Sequence, residues 1–400
     1  MGVMRCPIGD FPLGAEERAA LQRVIDSGRI SEGNEVRAFE DEFAAYMGTR
    51  HCVAVSSGTA ALMVGLKALV VTGRVSSSAK VLIPALTFIA TANAVSLSSL
   101  RLAFGDIQPG TMGLDPSEVS KRTPDIVLPV HLMGYGADVI GIQQQCEARQ
   151  AVLVEDAAEA HGTMIAGGKA GTFGLWGAFS FYIAHTVQAG ELGCIVTDDV
   201  AIAEAARQLK AHGRQCTCRR CTRSTTGCPY LGRGDGDPRF QAEYVGWNFK
   251  PMEFQAALGR VQLSHIKENI ARRKAIRAGL HAYLKGLEDD GYIESLPVQF
   301  DAVPMAYPVV LKHSGYRNQV VAELERRGVE ARPLFGCIPT QQPAYVGQFG
   351  DAYCGQLPVA EHYGADGFYV GCHQYLSVEQ VEYMILVIRE VITEVIGKVR

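Results

Sequence analysis

Apolar residues recur at helical spacing over residues 16–28, EERAALQRVIDSG, and again over 35–47, and the two runs stop at Gly28 and Gly48. The pattern predicts two amphipathic helices, each closed by glycine. Residues 51–55 form a short β-type run, after which SSGTAALMVGLKAL from Ser56 brings small residues and glycine to the start of an apolar helix. Strand, glycine turn and helix in that order can cradle an anion, because the N–H groups of Gly58 and Thr59 and the positive end of the helix would face it. The same order is also common around turns that bind nothing.

The alternation continues through VLIPAL at 81–86, a helix over 91–97, DIVLPVHLMG at 125–134, a helix over 140–149 and AVLVEDAAEAHG at 151–162. Repeated strand and helix of this kind predicts an α/β fold with a mainly parallel sheet covered on both faces. The apolar run over 151–154 leads directly into Glu155 and Asp156. Acids at the carboxyl end of a buried strand stand where open α/β sheets bind ligands, although Asp156 as a helix cap ahead of AAEA is equally good chemistry. Residues 255–287 read as one long helix, suited to connecting domains and contacting a second copy. Beyond it, MAYPVVL at 305–311, a helix over 317–327 and a terminal helix over 378–395 form a smaller α+β unit.

Composition narrows the partners. A net charge of −4 and a pI near 6.2 offer no basic field for nucleic acid, so small acidic or neutral ligands are expected. No stretch approaches the roughly 18–20 uninterrupted apolar residues of a membrane span, and MGVMRCPIGDFPLG lacks an apolar signal core, so a cytoplasmic protein is expected. Four of the 11 cysteines, Cys216, Cys218, Cys221 and Cys228, crowd into one segment with the spacing C-x-C-x2-C-x6-C. Thiols so close, in such a chain, suggest metal ligation. Tetrahedral zinc, an iron–sulfur cluster and unliganded thiols all remain open, because soft ligands alone do not separate the two metals.

One stretch gathers the remaining chemistry. FSFYIAHTVQAGELGCIVTD, residues 179–198, carries Ser180, then His185, then a reversal at Gly190 and Gly193 around Glu191. A lone loop histidine is as often a packing residue as a reactive one.

Taken with GRISEGNEVRAFEDEFAAYMGT, SSGTAAL, PALTFIATANAV, PVHLMG, EDAAEAHG, SFYIAH and GWNFKPMEFQAALGRVQL, the chain resembles, over nearly its whole length, the DegT/DnrJ/StrS family of pyridoxal-phosphate sugar aminotransferases. The resemblance implies the aspartate aminotransferase (type I) fold: a large cofactor-binding domain over 1–254 with the Cys-rich insert at 213–240, a connecting helix over 255–288 and a small C-terminal domain over 289–400. It implies that Gly58, Thr59 and Ser180 hold the cofactor phosphate, that Phe88 stacks on the ring, and that Asp156 pairs with the pyridine nitrogen. Glu159 then stands near the ring oxygen O3′, and Asn248 is a phosphate contact reaching in from the neighbouring subunit of a homodimer.

The family uses a lysine five residues after the serine, because only an amine condenses with the cofactor's aldehyde. This chain has His185 there. The cofactor is therefore expected to be held non-covalently, as pyridoxamine phosphate. Two branches resemble this substitution, the GDP-4-keto-6-deoxymannose 3-dehydratases and the CDP-4-keto-6-deoxyglucose 3-dehydratases, the second of which couples the cofactor to an iron–sulfur cluster and a reductase. The implied activity is removal of the C3 hydroxyl from a nucleotide-linked 4-keto-6-deoxy sugar, with His185 as base and acid. An aminotransferase-like reaction on another keto sugar or cyclitol, and a non-catalytic cofactor- or sugar-binding regulator, are the alternatives. The insert resembles that of the iron–sulfur branch in place and in its C-x-C element. It departs from it at Ala158, where that branch supplies a ligand, and Cys221 is the substitute expected to complete the set.

Overall fold

The computed structural model describes residues 5–219, 226–231, 237, 240–295, 299 and 301–397. Its centre is built from short apolar strands: β1 (His51–Val55), β2 (Lys80–Pro84), β3 (Arg101–Gly105), β4 (Ile126–Val127), β5 (Val152–Leu153) and β6 (Glu155–Asp156). A small hairpin, β7 (Met164–Ile165) and β8 (Gly168–Lys169), precedes β9 (Gly177–Ser180) and β10 (Gly193–Thr197). Strands with side chains buried on both sides, as in β2 and β10, need cover on both faces, which the intervening helices provide.

Two four-stranded sheets, β3-β2-β4-β5 and β1-β10-β9-β6, meet along one stretch of chain. The N–H groups of Val152, Val154 and Asp156 donate to the carbonyls of Asp125, Val127 and Pro129, while those of Glu155 and Ala157 donate to Trp176 and Ala178. Residues 152–157 are thus a single central strand bonded alternately to both neighbours. Pairing is parallel throughout except at β10, which runs antiparallel to both β9 and β1. The expected mainly parallel sheet is present, with one strand reversed.

The helix Asn34–Met47 begins at Gly33, which has no side chain to cap it. Glu253 supplies the missing acceptor from far along the chain, its carboxylate receiving the N–H groups of Gly33 at 2.7 Å, Glu35 at 2.9 Å and Val36 at 3.0 Å. A negative charge at that end also complements the helix dipole.

The long helix read over 255–287 is instead two helices, Glu253–Ser264 and Ile266–Asp289, separated at His265. His265 leaves helical geometry, with φ −96° and ψ 6°, and its ring bonds Glu16 at 2.7 Å on the helix Ala15–Ser27. A tertiary contact holds the bend, so periodicity alone could not reveal it.

The C-terminal unit is an antiparallel sheet, β11 (Ala306–Val310), β13 (Gly367–Gly371) and β12 (Ala331–Pro333) in that order, with the helices Arg317–Arg326 and Val378–Ile396 against it. Ser377 opens the terminal helix with a capping box to Gln380, and Met384, Ile388, Val391 and Ile392 bury one stripe of it. The N-terminal segment joins this unit, because Cys6 forms a parallel bridge with Val329 and is buried in its core. No helix among the described residues is long and apolar enough to cross a membrane.

Candidate active site

A cavity of about 420 Å³ opens between the ends of the central strands and the C-terminal unit. Gly58, Thr59, Phe88, Asp156, Glu159, Ser180 and His185, each singled out from sequence, all line it.

The chain turns from β1 into the helix Gly58–Val71 at Ser57, whose hydroxyl accepts the N–H of Ala60 at 3.1 Å. The first N–H groups of the helix have no acceptor within it and point outward as an anion cradle. Only glycine is tolerated at 58: a Cβ there would come within 2.6 Å of the Ser180 Cβ. That close approach brings the hydroxyl of Ser180, the last residue of β9, against the helix start.

Asp156 and its neighbour Glu155 point to opposite faces, as successive strand residues must. The Asp156 carboxylate accepts the Thr91 hydroxyl at 2.8 Å and the Ala158 N–H at 3.2 Å, and Thr91 in turn lies 3.1 Å from the Thr87 hydroxyl. Burial raises the pKa of Asp156, and those two hydrogen bonds work against it. Glu155 is fully buried on the far face, where it accepts His131 Nε2 at 3.0 Å and the N–H groups of Phe173 at 2.6 Å, Gly174 at 2.7 Å and Gly171 at 2.9 Å. His131 Nδ1 receives the Ala137 N–H at 3.1 Å, so this histidine is held as the Nε2–H tautomer. Its loop returns to the cavity at Met133, whose N–H meets Glu159 at 2.6 Å. Burial pushes Glu159 up to about 7, opposed by that hydrogen bond and reinforced by Asp156.

His185 lies in the turn after β9, 7 % exposed, with Nδ1 2.8 Å from the carbonyl of Ser180. A carbonyl can only accept, so Nδ1 carries the proton and Nε2 is left with a lone pair. Burial lowers the His185 pKa to about 4; the Ser180 bond opposes this and the charge of Arg273 adds to it. The imidazole is therefore neutral near pH 7, an acceptor within a cavity that also holds two carboxyls.

Phe88, 53 % exposed, forms one wall and meets Phe335 edge-on at 5.5 Å. A further part of the lining, Met305, Arg332, Phe335 and Tyr369, comes from the C-terminal half of the chain. The sequence pattern assigns no contact to any of these four. Thr87 and Thr91 are not singled out by the sequence; Thr91 lies in the first turn of the helix Ile89–Leu97 and Thr87 in the bend before it. Asn248 is not among the residues lining this cavity; it is bridged to Ala211 through backbone and accepts a hydrogen bond from Lys250.

The expected metal set finds no support. Cys216 and Cys228 are half-buried and Cys218 is exposed, and Cys221 lies outside the described residues. Among the described residues no group of three or more His, Cys, Asp or Glu side chains is placed to hold a metal.

Comparison with known proteins agrees with this geometry. The chain is 28% identical to the GDP-4-keto-6-deoxy-D-mannose 3-dehydratase of Yersinia pseudotuberculosis, across 97% of this chain and 100% of that one. It is 31% identical to the dTDP-3-amino-3,4,6-trideoxy-alpha-D-glucose transaminase of Streptomyces venezuelae, across 94% and 92% respectively. Its fold superimposes on the Escherichia coli GDP-4-keto-6-deoxy-D-mannose-3-dehydratase solved with bound hydrated PLP, with a TM-score of 0.81, 25% identity and coverage of 96% of this chain and 100% of that one. Residues 12–389 match the model of the DegT/DnrJ/EryC1/StrS aminotransferase family, and the chain belongs to that family.

Proposed function

We propose that this protein is a pyridoxamine-phosphate-dependent dehydratase that removes the C3 hydroxyl of a nucleotide-linked 4-keto-6-deoxy sugar. The observation that carries the proposal is His185: a neutral imidazole with Nε2 as acceptor, in the cavity of Asp156, at the position where an amine would be needed to hold the cofactor covalently.

The donor set suits the cofactor. A phosphate fits the cradle at Gly58, Thr59 and Ser180, where the absence of a Cβ at position 58 lets the helix start approach Ser180. Phe88 offers an aromatic face to the ring and Asp156 a carboxylate to its nitrogen, with Glu159 beside the ring oxygen. When bound, pyridoxamine phosphate supplies the amine that engages a keto carbon and a protonated ring that draws electrons.

The chain's own residues then divide the work. Asp156, oriented by the Thr91 hydroxyl and the Ala158 N–H, would pair with the ring nitrogen and hold its proton. Nε2 of His185 takes a proton and returns one to the departing hydroxyl, a contribution on the order of 10²- to 10⁴-fold in rate. Asn248, outside its own cavity, belongs in this reading to the site of a second copy, and the working unit is a homodimer.

Amino transfer is the competing reading, favoured by the similarity to the Streptomyces transaminase. Incubating the pyridoxamine-phosphate-loaded protein with nucleotide 4-keto-6-deoxy sugars and weighing the product separates the two. A sugar lighter by one oxygen, with ammonia and pyridoxal phosphate appearing in equal amount, supports the dehydratase. An amino sugar formed by the unmodified chain, with no dehydrated product, overturns it.

A further inference from the structure

Arg273, in the helix Ile266–Asp289, is fully buried, an environment that suits a guanidinium only when every donor finds an acceptor. Its acceptors are five backbone carbonyls and one side-chain amide. Nε donates to Gln374 Oε1 at 2.7 Å, Nη1 to the carbonyls of Met305 at 3.0 Å, Pro304 at 3.1 Å and Cys372 at 3.4 Å, and Nη2 to those of His185 at 2.9 Å and Ala184 at 3.2 Å. The whole fork of N–H groups is used. Gln188, fully buried, extends the arrangement: its amide donates to the carbonyl of Ile183 and accepts from Gln374 at 3.4 Å. Three consecutive carbonyls, of residues 183, 184 and 185, are thus each held by a buried side chain.

We propose that Arg273 is a positioning residue for His185, fixing the backbone of the 184–185 turn against the C-terminal wall at Met305 so that Nε2 meets its substrate at one distance. Ala184, His185 and Met305 all line the cavity, so the guanidinium spans both halves of the site from behind. The Ser180 carbonyl sets the ring's rotation and Arg273 sets the backbone that carries the ring. The proposal rests on the dehydratase reading only for its kinetic consequence.

The test uses the full chain as Arg273→Lys, which keeps the charge but loses the planar fork. Two quantities are read: exchange of the His185 Nδ1 proton with solvent, assigned in histidine-labelled protein by its loss in His185→Asn, and kcat and KM with pyridoxamine phosphate bound. The expected result is a cooperatively folded variant whose Nδ1 proton exchanges faster by about tenfold or more and whose kcat falls by about 10²-fold with KM nearly unchanged. A merely structural role would lower the melting temperature and move neither. Where Arg273→Lys does not fold, Gln374→Ala, which removes only the Nε acceptor, is expected to show both changes at smaller amplitude. A folded variant exchanging its Nδ1 proton at the wild-type rate overturns the proposal, even if dehydration proceeds. Faster exchange in a protein whose wild type dehydrates nothing sinks the dehydratase reading and leaves the positioning role standing.

Discussion

Nδ1 of His185 lies 2.8 Å from the backbone carbonyl of Ser180, five residues earlier at the end of β9. That bond decides which ring nitrogen can act. With the proton committed to a carbonyl, Nε2 is the basic atom, and burial together with the Arg273 charge keeps it unprotonated near neutrality.

The pH dependence follows in sign. A base is active when unprotonated, and the His185 pKa is lowered to about 4, so kcat/KM should rise as pH increases through about 4 and then stay level to neutrality. An acidic limb centred instead near the ordinary 6.5 and retained in Glu159→Gln would show that His185 is not the buried, neutral group described. His185→Asn should bind pyridoxamine phosphate as before and lose about 10²- to 10⁴-fold in elimination.

His185→Lys should restore an amine at this position. Covalent capture of pyridoxal phosphate, trapped by borohydride and located by mass on residue 185, is the expected outcome, with a shift of activity toward amino transfer. Failure to capture the cofactor in a folded variant would count against the placement of the phosphate cradle.

Asp156→Asn keeps the shape and the Ala158 contact but removes the charge. Loss of the carboxylate opposite the ring nitrogen should lower the elimination rate by about 10²- to 10³-fold, the range for a preorganised electrostatic group. Far-ultraviolet circular dichroism should be unchanged, and a variant with wild-type turnover would remove Asp156 from the site.

Glu155 serves the fold. Its truncation in Glu155→Ala strips acceptors from the N–H groups of Gly171, Phe173 and Gly174 and from His131. One orphaned buried donor costs about 1–3 kcal/mol, so a loss of at least about 3 kcal/mol is expected in denaturant unfolding. The affinity for pyridoxamine phosphate in the remaining folded fraction should change far less.

Glu159 carries a pH-dependent share of stability. Its pKa is raised from 4.5 to about 7, so the folded state holds the proton more tightly; that contribution is complete below about pH 4.5 and is lost as pH rises through about 7. Cofactor-free protein should become easier to unfold across that window, and Glu159→Gln should flatten the component. Identical pH profiles for the two proteins would place the carboxyl in contact with water.

The strand and helix alternation, the glycine turn at 58, the acids closing the 151–156 run and the spacing from Ser180 to His185 were all legible in the chain, because each depends on residues within a turn or a strand of one another. Seven of the residues singled out there line one cavity. What the chain could not show is who meets whom across it. Thr91 reaches Asp156 over 65 positions, and Arg273 grips the His185 carbonyl over 88. The break at His265 and the cavity wall of Met305, Arg332 and Tyr369 are likewise products of packing. Local periodicity determines which elements form and which face is apolar; the tautomer of His185, its neutrality and its reach depend on desolvation and on partners that only the folded arrangement brings within hydrogen-bond distance.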